Sequence, residues 1–173
     1  MPEYFILRHG QTEWNLERRL QGTLDSRLTP LGRVQAARQG AILRAHGIAA
    51  PVFVSPRGRA RATAALAGLS GRIEPRLAEI GLGDWQGLLM AELPAGSGVD
   101  WKFAAPGGES RAALEARVAS LLEDLPARAI LVTHGVLGMA LRARLLGGAD
   151  WDALAEPQGV VIHTRDGVER ILR

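Results

Sequence analysis

Phe5-Ile6-Leu7-Arg8-His9-Gly10-Gln11-Thr12-Glu13-Trp14-Asn15 runs from a short apolar stretch straight into an Arg-His-Gly turn. A run of strand-forming residues that stops at a glycine marks a strand entering a tight turn, because glycine adopts backbone angles that other residues avoid. Arg8 and His9 then sit at a strand's carboxyl end, the edge at which ligands bind in open α/β sheets. Arginine offers phosphoryl oxygens a planar fork of donors. An imidazole with an ordinary pKa of about 6.5 keeps a lone pair at neutral pH for attack or proton transfer. The pair suits a phosphate, but one Arg-His dipeptide also fits a solvated strand end, so the decision rests on the rest of the chain.

The signal recurs. Ala129-Ile130-Leu131-Val132-Thr133 is a buried strand that ends in His134-Gly135 and leads into a helix over 136–145. Pro51-Val52-Phe53-Val54-Ser55 is another, followed by a polar turn and a helix carrying Ala60, Ala64, Ala65 and Leu66. A helix amino terminus favours anions, so an arginine in that first turn reinforces a phosphate pocket. On helical spacing Arg59 shares a face with Thr63, while Arg57 and Arg61 point elsewhere, to solvent. Arg8, His9, Arg59 and His134 therefore converge on one crevice from three strands.

The intervening segments complete a β-α alternation. Leu28-Thr29-Pro30-Leu31-Gly32 starts a helix, with Thr29 as cap and Pro30 at the first helical position. Val34, Ala37, Ala41, Ile42 and Ala45 form its expected apolar stripe, His46 lies in its last turn, and Gly47 ends it. Residues 72–74 read as a short strand. The glycine-punctuated loop over 77–87 carries Glu79 between Ala78 and Ile80, an apolar setting that raises a carboxyl pKa and fits a general acid. Residues 93–108 read as an irregular excursion in which Trp101 and Phe103 wall a pocket. A packing helix over 109–125 has the stripe Leu114, Val118, Leu121, Leu122 and Leu125. The tail over 160–172 is a hairpin around Arg165-Asp166-Gly167, with His163 incidental. Such alternation predicts an α/β fold: a three-layer αβα sandwich on a mainly parallel central sheet, with residues 1–173 as one domain.

At 173 residues the chain is long enough to bury roughly 70% of its unfolded surface without staples. It has no cysteine, which rules out disulfides, cysteine zinc sites and thiol catalysis. The opening Met1-Pro2-Glu3 begins no basic-then-apolar leader, and no apolar run approaches the ~20 residues of a membrane span, so a soluble cytoplasmic protein is expected. The net charge of +3 rests almost wholly on arginine, Lys102 being the sole lysine. Those arginines are scattered and aromatic content is 5%, which argues against a nucleic-acid surface. The sequence carries no signal for oligomeric state.

Taken together, Leu7 to Asn15, Gln21-Gly22, Leu28-Thr29-Pro30-Leu31-Gly32, the stretch from Ser55 to Ala64, that from Glu79 to Gly87, Pro106-Gly107-Gly108-Glu109-Ser110 and Thr133-His134-Gly135 resemble, in order, segments of the histidine phosphatase superfamily, the phosphoglycerate-mutase-like proteins. The resemblance implies a phosphoglycerate mutase-like fold and a metal-independent, cofactor-free phosphomonoester hydrolase acting on a small phosphorylated metabolite. His9 matches the nucleophile that becomes phosphohistidine; Arg8, Arg59 and His134 match residues around the phosphoryl oxygens; Glu79 matches the proton donor that later activates water. Asn15, Gln21, Gly22 and Gly135 match substrate-binding positions. Two departures stand out: Gln86 replaces a frequent glutamate, which is read as peripheral to the chemistry, and the segment between Gly87 and Pro106 is short, which favours hydrolysis over mutase transfer. Sugar phosphates, α-ribazole phosphate and phosphohistidine proteins all remain open as substrates. So do mutase-type transfer and a catalytically silent phosphate-binding module. A metal site of His9, His134 and Glu79 lacks a close-spaced histidine pair.

Overall fold

The computed structural model of the chain describes residues 2–94, 96–154 and 157–173. Six strands form one sheet: β1 (Glu3–Arg8), β2 (Val52–Val54), β3 (Arg72–Ile73), β4 (Arg128–Thr133), β5 (Val161–Arg165) and β6 (Val168–Leu172). Their order is β3-β2-β4-β1-β5-β6. The first four run parallel, while β5 lies antiparallel to β1 and β6 antiparallel to β5. The parallel part follows from the helical crossovers, and the antiparallel edge from the short connection at Asp166 and Gly167. Both of those residues take positive φ, 53° and 72°, as a two-residue hairpin matching strand twist requires.

The near-continuous apolar runs of β1 and β4 signal strands covered on both faces. Tyr4 and Ile6 pack on one side, with Leu114, Val118 and Leu121 of α4 (Arg111–Asp124) and Leu137 and Leu141 of α5 (Gly135–Leu145). Phe5 and Leu7 pack on the other, with Ile42 and Leu43 of α2 (Pro30–Ala45) and Ala60 and Ala64 of α3 (Gly58–Leu66). The sheet is thus sandwiched between two helical layers, with the short α1 (Glu13–Glu17) at its carboxyl edge. His163 stacks on Phe5 at 4.7 Å and bonds the Glu3 carboxylate at 2.9 Å, a strand-packing role. Among the described residues no helix is long and apolar enough to cross a membrane.

The apolar stripe expected on α2 is the wrong face. Val34 is 65% exposed, and Ala37, Ala41 and Ala45 are exposed as well, leaving Ile42 as the stripe's buried member. The buried face is instead Gly32, Ala36, Gln39, Gly40 and Leu43, with Ile42 beside it. The helix approaches its neighbours so closely that a Cβ on Gly32 would overlap the Gln11 carbonyl, and one on Gly40 the Ala67 carbonyl. Absence of a side chain marks this contact, which a search for large apolar residues passes over. Gln39 is fully buried there because its amide donates to the Arg8 carbonyl at 2.9 Å and the Val160 carbonyl at 3.0 Å. Gly10 carries a similar correction: it takes no left-handed angle, and a Cβ there would overlap the Gly32 carbonyl, so the turn after His9 needs space rather than an unusual φ.

Candidate active site

His9 leaves the end of β1 with its backbone N–H still on the Thr133 carbonyl at 3.0 Å, and its ring is 3% exposed. Nδ1 lies 2.8 Å from the Gly10 carbonyl oxygen. A carbonyl only accepts, so Nδ1 carries the proton and Nε2 keeps its lone pair. Burial first, then the charges of Arg59 and Arg8, hold the His9 pKa well below its usual 6.5. The imidazole is therefore neutral in a cationic surrounding. The Gly10 N–H donates to Thr63 Oγ1 at 3.0 Å, and that hydroxyl donates to the Arg59 carbonyl at 2.8 Å, which ties the turn after His9 to α3.

His134 caps α5, with its ring centroid 5.2 Å from that of His9. It is 1% exposed, and burial, then Arg59 and His9, again press its pKa well below 6.5. Its Nε2 lies 2.7 Å from the Ser55 hydroxyl, while Nδ1 is buried with no hydrogen-bond partner among the described residues. Arg59 sits under a loop: Nη1 donates to the Leu24 carbonyl at 2.6 Å and to Asp25 at 2.8 Å, and Nη2 to the Gly22 carbonyl at 2.9 Å. Its Nε is buried without a partner among the described residues. Burial pulls its pKa below the ordinary arginine value, opposed by Glu79 and Asp25.

The amino terminus of α3 is not the free anion site that sequence reading expects. Asp25 accepts from the amides of Gly58 at 2.8 Å and Arg59 at 3.2 Å, so a side chain already caps those donors. Of the two arginines assigned to solvent, Arg61 is exposed, whereas Arg57 is half-buried.

Glu79 takes the corresponding place on α5. Its Oε1 accepts from the Ile80 and Leu137 amides at 3.1 and 3.0 Å, and its Oε2 from the Val136 amide at 3.1 Å. Ala78 and Ile80 flank it along the chain, yet backbone donors and not apolar side chains meet the carboxyl. A carboxylate suits a helix amino terminus for the same reason an external anion does.

One cavity of about 190 Å³ is lined by Arg8, His9, Asn15, Gln21, Gly22, Arg59, Glu79 and Gly135, with His134 against His9 behind it. Of the candidate catalytic and substrate-binding residues singled out from the sequence, all but His134 line this cavity, and His134 adjoins it through His9. The carboxamide oxygen of Asn15 accepts from the Thr12 amide at 3.1 Å, closing a capping box on α1 and leaving its NH2 group for a ligand. Gln86, though outside the lining, is not idle. Its Oε1 receives the Thr23 amide and hydroxyl and the Leu82 amide at 2.8, 2.9 and 3.2 Å, holding the loop from which Gly22 walls the cavity.

Trp101 and Phe103 do not wall the pocket. Trp101 packs on Trp85 at 5.7 Å and Phe103 on Trp151 at 6.0 Å, both against the core, and the intervening Lys102 faces the cavity instead. Trp14, from the opening stretch, also lines it, as do Arg18, Arg19 and Met90, which have no sequence signal of their own. Lys102 has one: it is the sole lysine, set between two aromatics. In the excursion over 93–108, Ala95 lies outside the described residues. Among the described residues no group of three or more His, Asp or Glu side chains is arranged to hold a metal, so the metal reading of His9, His134 and Glu79 has no donor set.

A sequence model of the histidine phosphatase superfamily (branch 1) matches residues 4–162. A glucosyl-3-phosphoglycerate phosphatase of Mycobacterium tuberculosis is 38% identical over 177 residues, spanning 86% of this chain and 78% of that one. A protein named probable phosphoglycerate mutase, from Erwinia tasmaniensis, is 33% identical over 165 residues, spanning 85% and 76%. The crystal structure of a phosphoglycerate mutase from Thermus thermophilus superposes with a TM-score of 0.77 at 38% identity, covering 99% of this chain and 96% of the other.

Proposed function

The chain belongs to branch 1 of the histidine phosphatase superfamily, and on that premise we propose that it hydrolyses a small phosphomonoester through a phosphohistidine on His9. The observation that carries the reading is the fixed tautomer of His9, whose Nδ1–H is spent on the Gly10 carbonyl and whose Nε2 lone pair is left beside Arg8 and Arg59. In the first step that lone pair attacks phosphorus and the P–O bond to the leaving group breaks, Glu79 delivering a proton to the departing oxygen. In the second, Glu79 as carboxylate takes a proton from water, the water oxygen attacks phosphorus, and the P–N bond breaks to restore neutral His9. Arg8, Arg59 and the Nδ1–H of His134 hold the three phosphoryl oxygens, where charge stabilisation does most of the work. Asn15, Gln21, Gly22 and Gly135 border the substrate. Among the described residues of the span over 88–105, Met90 and Lys102 line the cavity, a small enclosure that supports hydrolysis over mutase transfer. Turnover of p-nitrophenyl phosphate, unchanged by EDTA and blocked by vanadate, tests the reading. A purified protein that binds vanadate but turns over no phosphomonoester would mark it as a silent binding module.

Ser55 sets the direction of the His134 donor. Its oxygen accepts from the Arg57 amide at 3.3 Å, and among the described residues His134 Nε2, at 2.7 Å, is the acceptor within reach of its hydrogen, so the bond that satisfies the buried hydroxyl runs from Ser55 to Nε2. That leaves the ring proton on the orphaned Nδ1. Ser55→Ala should release the tautomer and lower kcat on the order of tenfold, less than the roughly 10²–10³ of deleting an oxyanion donor outright. The ¹⁵N shifts of His134 should pass from the Nδ1–H pattern toward the Nε2–H pattern. A loss of activity with those shifts unmoved would reduce Ser55 to a packing residue.

A further inference from the structure

Glu79 stands between the 3-10 turns Pro75–Leu77 and Gly83–Trp85, in a stretch with no helix or strand of its own to hold it. The carbonyls around it are met from other elements. Thr133 Oγ1 donates to the Leu77 carbonyl at 2.9 Å. Arg117, on α4, sends Nη1 to the Arg76 carbonyl at 2.8 Å and the Ala78 carbonyl at 2.7 Å. Its Nε and Nη2 close a fork on the Glu109 carboxylate at 2.9 and 2.7 Å. The Glu109 amide in turn donates to the Gly81 carbonyl at 2.8 Å. One ion pair therefore grips the chain on both sides of Glu79, and neither of its members lines the cavity.

The Ala78 carbonyl is the contact that bears on chemistry. It belongs to the planar unit joining Ala78 to Glu79, so holding its oxygen sets the plane from which the Glu79 side chain leaves. The next peptide turns its N–H, that of Ile80, onto Glu79 Oε1 at 3.1 Å, and the Gly81 carbonyl beyond it is the one Glu109 holds. Leu77 and Ile80 are buried and anchor the stretch in the core, but apolar burial has no direction with which to set a peptide plane. A guanidinium has, since its donors form a rigid fork. With side chains 20% and 19% exposed, the Arg117–Glu109 pair is also less screened than a surface one. Arg76 supplies the contrast. It ties the same turn to α4 through Glu74 at 2.9 Å and Asp124 at 2.6 Å, without touching the carbonyls that flank Glu79.

Resting on the reading of Glu79 as general acid and base, we propose that Arg117 and Glu109 are positioning residues for Glu79: from outside the cavity they aim its carboxyl between the α5 amides and the leaving oxygen. Proton transfer needs hydrogen-bond distance, and a displacement of about 1 Å costs on the order of 10²-fold in rate. The pair thus acts on the proton transfer alone, and its loss falls on the substrates that depend on that transfer.

Phenyl phosphate and p-nitrophenyl phosphate share a shape and differ in how much protonation the leaving oxygen needs, so the ratio of their kcat/KM values reports on the acid. Arg117→Met should slow phenyl phosphate roughly 10–100-fold and p-nitrophenyl phosphate less than about threefold. Arg76→Met, which breaks a brace between the same two elements, should lower the melting temperature and leave the ratio unchanged. Because Arg117 acts through Glu79, its selective effect should vanish when Arg117→Met is added to Glu79→Gln, the non-additivity of coupled residues. Arg117→Lys keeps a charge beside Glu109 without the fork that spans the carbonyls, and should sort the substrates the same way at a higher melting temperature than Arg117→Met. Equal slowing of both esters, or a selective loss that persists in the Glu79→Gln protein, overturns the positioning role. Amide hydrogen exchange reads the same contact without turnover. The Val136 and Leu137 N–H groups have Glu79 as acceptor, whereas that of Gly138 bonds the His134 carbonyl at 3.1 Å. Arg117→Met should speed exchange at the first two about tenfold relative to the third, and unchanged relative exchange overturns the proposal as well. A wild-type protein that turns over neither ester, with that exchange difference present, would keep the positioning role and remove the hydrolase reading.

Discussion

A His9→Ala protein should lose turnover by a factor on the order of 10⁴ or more and should carry no acid-labile phosphoryl label when quenched during turnover, the loss expected on removing a nucleophile. Label trapped on the unaltered protein should map to His9. Label persisting in the alanine variant would move the nucleophile elsewhere, with His134 the nearest imidazole at 5.2 Å between rings. The same residue sets the acid side of the pH profile. Because the folded pKa of His9 lies well below 6.5, Nε2 keeps its lone pair as the pH falls through 6.5, and the acid limb of kcat/KM should lie beneath that value. Stability runs the other way. His9 and His134 are both depressed, so an unfolded chain takes up protons near pH 6.5 that the folded one refuses. Their contribution is fully present above pH 6.5 and is lost as the pH falls from there through the folded values. Activity profiles and melting temperatures should therefore diverge between pH 6.5 and the acid limb, the catalyst working in a range where the fold is already weakening.

The parts of this molecule legible in the sequence are those where chemistry and strand ends coincide. Arg8-His9-Gly10 and His134-Gly135 announce themselves because a long apolar run stops at a polar pair, and adjacent parallel strands then bring the two histidines together. Arg59 is separable from Arg57 and Arg61 by helical register alone, since one face of α3 holds both Arg59 and Thr63. What stays hidden depends on close approach between distant backbones. The packed face of α2 is marked by Gly32 and Gly40, which no hydrophobic pattern registers. Asp25 over α3, Gln86 beneath the Gly22 loop and Ser55 on His134 act across gaps of 33, 63 and 79 residues. Periodicity reports only on neighbours within a turn or two, so such partners have no local signature. The reading of the excursion over 93–108 misses by one residue for a related reason: pocket walls are often aromatic, which points to Trp101 and Phe103, but the core claims both and leaves Lys102 to the cavity.

Glu79→Gln should slow release of a poor leaving group, such as an alkyl alcohol, by about 10²–10⁴, the usual worth of a positioned acid, while release of p-nitrophenolate is far less affected. A good leaving group needs little protonation, so the difference between the two substrates isolates the proton transfer from every other effect. With p-nitrophenyl phosphate the variant should show a burst: phosphoenzyme forms nearly normally and then persists, because the carboxylate that activates water is gone. The substitution also has a structural cost. Glu79 accepts two amides at the start of α5 and that of its neighbour Ile80, and a glutamine turns one acceptor into a donor facing those N–H groups. Losing a cap of that kind costs about 0.5–2 kcal/mol of stability, whereas a factor of 10²–10⁴ in rate corresponds to roughly 2.7–5.5 kcal/mol in the barrier. The two are told apart by a further criterion: a loosened helix lowers the melting temperature and impairs both substrates alike, and it cannot sort them by leaving-group basicity. Equal slowing with no accumulated phosphoenzyme would remove Glu79 from the proton path. Since Glu79 is the one carboxylate lining the cavity among the described residues, the proton would then have to come from the solvent or from the phosphoryl group of the substrate itself.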